Sequence, residues 1–305
     1  MNILKIMMIM LFMLMSLNAN NEILVFKADN SKGKITPKTI EKVMKKAGYK
    51  VDVNRNMNKP FEIQFKKTTF DTYNLLIAYY PAITKDLTIK YPDSGIFNPF
   101  SVGIYQKKGS KDIFVSVLSA KGMSKILGKG EEFFKKLEEV NKKTFFEALP
   151  NAKIVDLSYS SQATKEKLLT KFEIEVDPEE ADDTIEEIEM VIENGLKPIG
   201  FIKANFNDYG IDLDDAGNED YIFYHVYSLC KLKVIYNVAK THPEAGSFAP
   251  CSMAIYQKEG SNKMVIVFPN VYNWISIMNL QDKELINILL KAQSDIVKLI
   301  SSATE

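Results

Sequence analysis

Residues Tyr73–Ser110 recur as Tyr224–Ser261 at a constant offset of 151, without a gap. Twelve of the 38 aligned positions are identical, among them Pro92/Pro243, Gly95/Gly246, Phe97/Phe248 and Pro99/Pro250. The segment Ile-Tyr-Gln-Lys-x-Gly-Ser stands at Ile104–Ser110 and again at Ile255–Ser261. A chain written this way folds as two copies of one unit, each closing its own core, and each copy serves as a control for the other.

Both copies have the same coarse pattern. In the second, Leu168–Val176 alternates at Phe172, Ile174 and Val176 as a strand does, and Asp177-Pro178 breaks it. Ile185, Ile188, Val191 and Ile192 then form a helical stripe expected to end at Gly195 in a left-handed cap. The first copy carries Ile40, Val43, Met44 and Ala47 in the same role, with Pro37 near the helix start and Gly48 at its end. Two short extended segments follow, then the strand Tyr221–Leu229 (Thr69–Ala78 in the first copy) and a helix near Lys231–Thr241. A hairpin at 252–257 and 263–268 turns at Glu259–Asn262, and amphipathic helices near Glu131–Ala148 and Asp282–Ser301 close the copies. Strands and helices mix without a long alternation, so the expected class is α+β: two tandem β-α-β-β-α-β-β units, each with a C-terminal amphipathic helix. The units are placed at 22–149 and 167–302. Residues 150–166, rich in Ser, Asn and Lys, have the composition of a linker.

Residues 1–19 have the form of a secretory signal peptide. Lys5 supplies the positive end, and Ile6–Leu17 is a charge-free apolar run of 12 residues, short for a hydrocarbon core of ~30 Å. A retained membrane anchor is the alternative. No later stretch is long and apolar enough to span a bilayer, so the expected product is a periplasmic or secreted protein with no integral membrane segment after cleavage. The composition, 46% hydrophobic and 11% aromatic, is that of folded domains. A net charge of zero conceals +11 over residues 1–150 (25 Lys+Arg, 14 Asp+Glu) and −11 over 151–305 (14 and 25). Opposite charge favours docking of the second copy on the first as a pseudo-two-fold pair, with drift of two solvated surfaces as the plainer account. Nucleic acid is not an expected partner of an exported chain that lacks an aromatic-basic motif. The acidic run Asp177–Glu193 is most simply a solvated helix face, and it lacks the loop spacing of a calcium site.

At Phe248-Ala249-Pro250-Cys251-Ser252-Met253-Ala254-Ile255-Tyr256 the chain resembles the bacterial domain of unknown function 302. That family shows a strand ending in Cys-Asn-Pro at a helix start, and a Leu-Pro-Cys that opens a strand ending in Val-Tyr. Cys230 matches the first cysteine, with Lys231-Leu232 where Asn-Pro would stand, and Cys251 matches the second, after Pro250. The first copy keeps Pro81 and Pro99 but has Tyr79 and Phe100 at the cysteine positions. The resemblance covers most of 167–300 and, more faintly, 24–149. It implies an α+β domain that often self-associates, and no settled activity.

Every histidine and cysteine of the chain lies within 27 residues of the second copy: His225, Cys230, His242 and Cys251. Their counterparts are Asn74, Tyr79, Tyr91 and Phe100, so the shared fold does not require them. Three accounts of the cysteines stand open. Cys230 and Cys251 form a structural disulfide, as two cysteines in an exported protein would. They are free, buried thiols acting as small hydrophobes. Or they form a site, in which a helix start lowers the Cys230 pKa for redox chemistry, or the two thiols with His225 hold copper or zinc. Strand alternation puts His225 and Cys230 on opposite faces, and His242 lies a helix length of roughly 16 Å from Cys230. Trp274 is the best candidate for an exposed ligand contact, with Tyr272 near it and Tyr227 on a possible groove. The chain has no glycine-rich phosphate loop, no Gly-x-Ser-x-Gly elbow, no His-Glu-x-x-His and no Cys-x-x-Cys. The leading expectation is an exported, non-enzymatic binding or accessory protein for a small ligand or an exported protein. The alternative is a thiol-redox or soft-metal-handling protein acting through Cys230 and Cys251.

Overall fold

A computed structural model describes residues 21–305 of the chain; the expected signal peptide, residues 1–19, lies outside the described residues. Strands β1 Ile23–Asp29, β2 Lys50–Asn56, β3 Phe70–Tyr79, β4 Phe100–Lys107 and β5 Asp112–Leu118 pair in the order β2-β3-β4-β5-β1. A two-residue strand, β6 Lys153–Ile154, extends this sheet outside β1. Strands β7 Leu169–Glu175, β8 Ile202–Asp208, β9 Tyr221–Cys230, β10 Cys251–Lys258 and β11 Lys263–Pro269 pair in the order β8-β9-β10-β11-β7. The two orders coincide strand for strand, and every neighbouring pair is antiparallel.

The helices also correspond. Helices α1 Pro37–Lys46, α2 Asn58–Phe65, α3 Pro81–Lys90, α4 Ala120–Leu127 and α5 Glu131–Ala148 belong to the first unit. Helices α6 Ala181–Leu196, α7 Tyr209–Asp214, α8 Leu232–Ala239, α9 Tyr272–Ile277 and α10 Lys283–Ala303 belong to the second. Short 3-10 turns, Pro92–Phe97 and Pro243–Ser247, precede β4 and β10. Of the two short extended segments expected before β3 and β9, one is a strand (β2, β8) and the other a short helix (α2, α7).

Local chemistry explains the helix ends. Thr36 caps α1: its Oγ1 accepts from the Thr39 N–H at 3.2 Å while Thr39 Oγ1 accepts from the Thr36 N–H at 2.9 Å, with Pro37 in the first turn. Asp282 caps α10 by accepting from the Glu284 and Leu285 N–H groups. Gly195 corrects the expectation of a left-handed cap. It sits inside α6, where a Cβ would lie 2.1 Å from Leu299 of α10, and the positive φ falls later, at Gly200. The glycine lets two helices approach; it does not end one.

Strand β9 is buried on both faces, so it reads as an unbroken apolar run rather than an alternation. Its odd residues Phe223, Tyr227 and Leu229 pack with Met253 and Ile255 of β10 under Ile185, Ile188 and Ile192 of α6 and Ile296 of α10. Its even residues Tyr224 and Val226 face the other unit, in a core that also holds Tyr73, Val102 and Ile104.

This second face is where the units meet, and the contacts are reciprocal. Ser101 Oγ donates to the Pro250 carbonyl at 2.7 Å, and Ser252 Oγ donates to the Pro99 carbonyl at 2.8 Å. Tyr73 OH donates to the Pro243 carbonyl at 3.1 Å, and Tyr224 OH donates to the Pro92 carbonyl. Each pair is related by the 151-residue offset, as residue pairs across a two-fold axis are. At the centre Gly103 meets Gly246: a Cβ on Gly246 would lie 2.6 Å from the Gly103 Cα. Ion pairs cross at Lys50–Asp212 (2.6 Å) and Lys171–Asp93 (3.3 Å), the latter against the overall charge asymmetry. The seam is therefore apolar and hydrogen-bonded, with exposed charge a minor contributor.

Residues 150–166 lie along both units. Ile154 and Lys153 pair with β1, Tyr159 OH donates to Glu244 Oε1, and Gln162 N–H donates to the Ser276 carbonyl at 2.8 Å. No helix among the described residues is long and apolar enough to cross a membrane.

Candidate functional site

The ends of β9 and β10, the start of α8 and the inner faces of α9 and α10 enclose a cavity of about 70 Å³ in the second unit. Cys230, Cys251, Met253, Val234, Trp274 and Ala292 line it, and Phe201, Lys231 and Gln293, all half-buried, stand toward solvent. The walls are almost wholly hydrocarbon and sulfur. A water in such a space would find few partners, so the cavity favours an apolar occupant.

The two cysteines have large aromatic counterparts in the first unit. At the equivalent positions of the first unit Cys230 is replaced by Tyr79, Cys251 by Phe100 and Lys231 by Tyr80. Those rings are buried or half-buried and packed: Tyr49 lies 5.1 Å from Tyr80 and 6.2 Å from Phe100, ring to ring. The exchange of Tyr and Phe for Cys is visible in the aligned sequence. Its consequence is volume as much as thiol chemistry, and that signal was there to be found.

Cys230 and Cys251 are both unbridged. Cys251 stands opposite Leu229 in the β9–β10 ladder, so Cys230 is one residue out of register with it, although both side chains line the cavity. Burial pushes both thiols up to about 12; the neighbouring thiol adds to the rise at Cys230, and a Trp274 hydrogen bond partly offsets it at Cys251. A helix start does not lower the Cys230 pKa here, contrary to the expectation, because desolvation outweighs the dipole. Cys251 Sγ donates to the Phe248 carbonyl at 3.1 Å.

Trp274 is where the reading of an exposed contact fails. The segment after β11 is helix α9, not a loop, and it turns Trp274 inward to 4% exposure, against Phe248 (5.4 Å, ring to ring). Trp274 is thus brought to the cysteines as a wall of the cavity. Tyr272, at the start of the same helix, is half-buried and does not line the cavity. Tyr227 lies on the opposite face of β9, fully buried, with its OH donating to Glu193 Oε1 at 3.2 Å.

The histidines are not brought to the thiols. His225 faces α6, with Nδ1 2.8 Å from Glu189 Oε1 and Nε2 4.0 Å from Asp208 Oδ2, between the rings of Phe206 and Phe223. His242 sits at the head of the seam turn beside Tyr159, 5.3 Å ring to ring, and burial lowers its pKa. The set Cys230, Cys251 and His225 is therefore not assembled. Among the described residues no cluster of three or more His, Cys, Asp or Glu is arranged to hold a metal ion.

Residues that sequence reasoning passed over complete the site: Phe201, Met253, Val234, Ala292 and Gln293. They come from β10, α8, α10 and the residue before β8, which only tertiary packing collects.

No curated protein matches the chain. A crystal structure of an uncharacterized conserved protein DUF302 from Bacillus stearothermophilus is similar at 19% identity, over 46% of this chain and 100% of that one, with a TM-score of 0.37. Residues 175–303, which hold the cavity and nearly all of the second unit, match the family profile of the domain of unknown function DUF302.

Proposed function

We infer that this is an exported binding protein, built as an intrachain pseudo-dimer, whose second unit takes a small apolar ligand while the first serves as scaffold. The observation that carries this reading is the contrast between the units: one fold, with a hydrocarbon-lined cavity at Cys230 and Cys251 in one copy and the large rings of Tyr79 and Phe100 at the matching positions of the other. The reciprocal seam supports the pseudo-dimer, and the charge-free run Ile6–Leu17 supports export. Trp274 is the chain's single tryptophan and lines the cavity, so ligand entry should shift its emission. Titration with an apolar fluorescence quencher should give saturable binding to the native protein and none to the Cys251→Phe variant. Equal quenching of both proteins would sink the reading.

A second reading rests on sulfur. Cys230, Cys251 and the Met253 thioether all line the one cavity, a soft donor set that suits copper(I) better than zinc. Stoichiometric copper(I) uptake, lost in Cys230→Ser and in Cys251→Ser, would favour it over the scaffold-and-ligand account; no uptake would remove it.

A further inference from the structure

We propose that the ligand of the second unit is an aliphatic carboxylate, its chain in the cavity and its charged end at Lys231. This rests on the cavity being a binding site and adds the ligand's chemistry. Of the residues that line the cavity, Lys231 alone is charged. Its ammonium stands over the Phe201 ring at 5.0 Å, so it sits at the apolar rim. There it shares Asp295 with Lys291, at 2.8 and 2.9 Å. Asp295 thus holds the Lys231 ammonium at the rim, where its remaining N–H donors can take a ligand anion. The other polar lining side chain, Gln293, is already engaged: Oε1 accepts from the Val271 N–H at 3.2 Å and Nε2 donates to Thr170 Oγ1 at 2.8 Å. The site therefore offers one charged donor at the rim and hydrocarbon within, the division of an amphiphile with a single anionic end.

The volume of the site, about 70 Å³, suits a chain of a few carbons. A smaller cavity, about 30 Å³, lies in the seam between the units among Phe97, Phe100, Leu118, Met123 and Phe248. Cys251, Pro269 and Trp274 form the wall common to both cavities. From Lys231 the apolar space thus leads past Trp274 toward the other unit. A movement of that one indole would join the two spaces for a longer chain.

Calorimetric titration of the full chain with propionate, butyrate and pentanoate, and with pentanol as the uncharged partner, tests the proposal. Affinity should rise about fourfold per added methylene, the value of burying one such group. Pentanoate should bind roughly tenfold tighter than pentanol, and Lys231→Met should erase that difference. Cys230→Tyr and Cys251→Phe, the residues of the first unit, should abolish binding of both, with circular dichroism confirming that each variant folds. Equal affinity for pentanol and pentanoate, or a Lys231→Met variant that keeps the preference, would overturn the carboxylate while leaving the apolar site standing. Absence of binding by every probe would overturn both.

Discussion

Cys230 and Cys251 behave as the side chains of a wall rather than as reagents. Burial holds both pKa values well above the ordinary cysteine range, which leaves little thiolate for a nucleophile or a fast redox partner. The native protein should therefore react with a thiol-specific disulfide reagent far more slowly than the unfolded chain does. After denaturation without reductant it should yield two thiols; none would show that the cysteines are bridged and that the β9–β10 register differs from the one described. Glu244 is one residue that should shape the pH response. It is 3% exposed in the seam turn, and burial raises its pKa above the ordinary 4.5, despite the Tyr159 hydrogen bond. A folded-state pKa above the unfolded one means that the folded protein binds the proton more tightly. Its contribution is complete below about pH 4.5 and is lost as pH rises through the folded value. Denaturant unfolding across this range should show that loss, and Glu244→Gln should flatten it. A variant with an unchanged slope would assign the pH response to another group.

Among elements, the seam turns and the strands they feed do most to hold the units together. The twelve identities between the copies include Tyr73/Tyr224, Pro92/Pro243, Pro99/Pro250 and Ser101/Ser252, the groups that exchange hydrogen bonds across the seam. In a self-complementary interface one residue serves both sides, so the duplication recorded the seam more faithfully than the separate cores. That part of the structure was legible in the sequence, as were the α+β class and helix α5. The cavity was not, because an empty volume depends on how far α9 and α10 stand from the sheet, and no residue type announces that distance. Gly195 shows the same limit: its composition signal suits a helix end, and only the approach of Leu299 explains it inside α6. Gly246→Ala tests the seam at this scale. The added methyl would meet the Gly103 backbone, which cannot rotate away, and should cost about 1–3 kcal/mol of unfolding free energy. The same change at Gly260, a hairpin-turn glycine with open space where a Cβ would stand but φ +67, should cost less, about 1 kcal/mol from backbone strain alone. Equal losses at the two sites would mean that the seam is looser than this contact implies.

At the scale of the whole molecule, the two units form one body. Their common core runs through the seam, residues 150–166 lie along both, and the ligand cavity adjoins the seam at Cys251 and Trp274. Every side chain that lines the cavity belongs to the second unit, and Cys251, Pro269 and Trp274 stand between it and the space in the seam. Separation of the units would expose that wall to solvent. Small-angle scattering of residues 21–305 in low and in high salt tests this most directly. One compact particle of about 285 residues should have a radius of gyration near 19 Å, unchanged by salt because the seam is apolar. A markedly larger radius with the profile of two separated lobes, at either ionic strength, would contradict it.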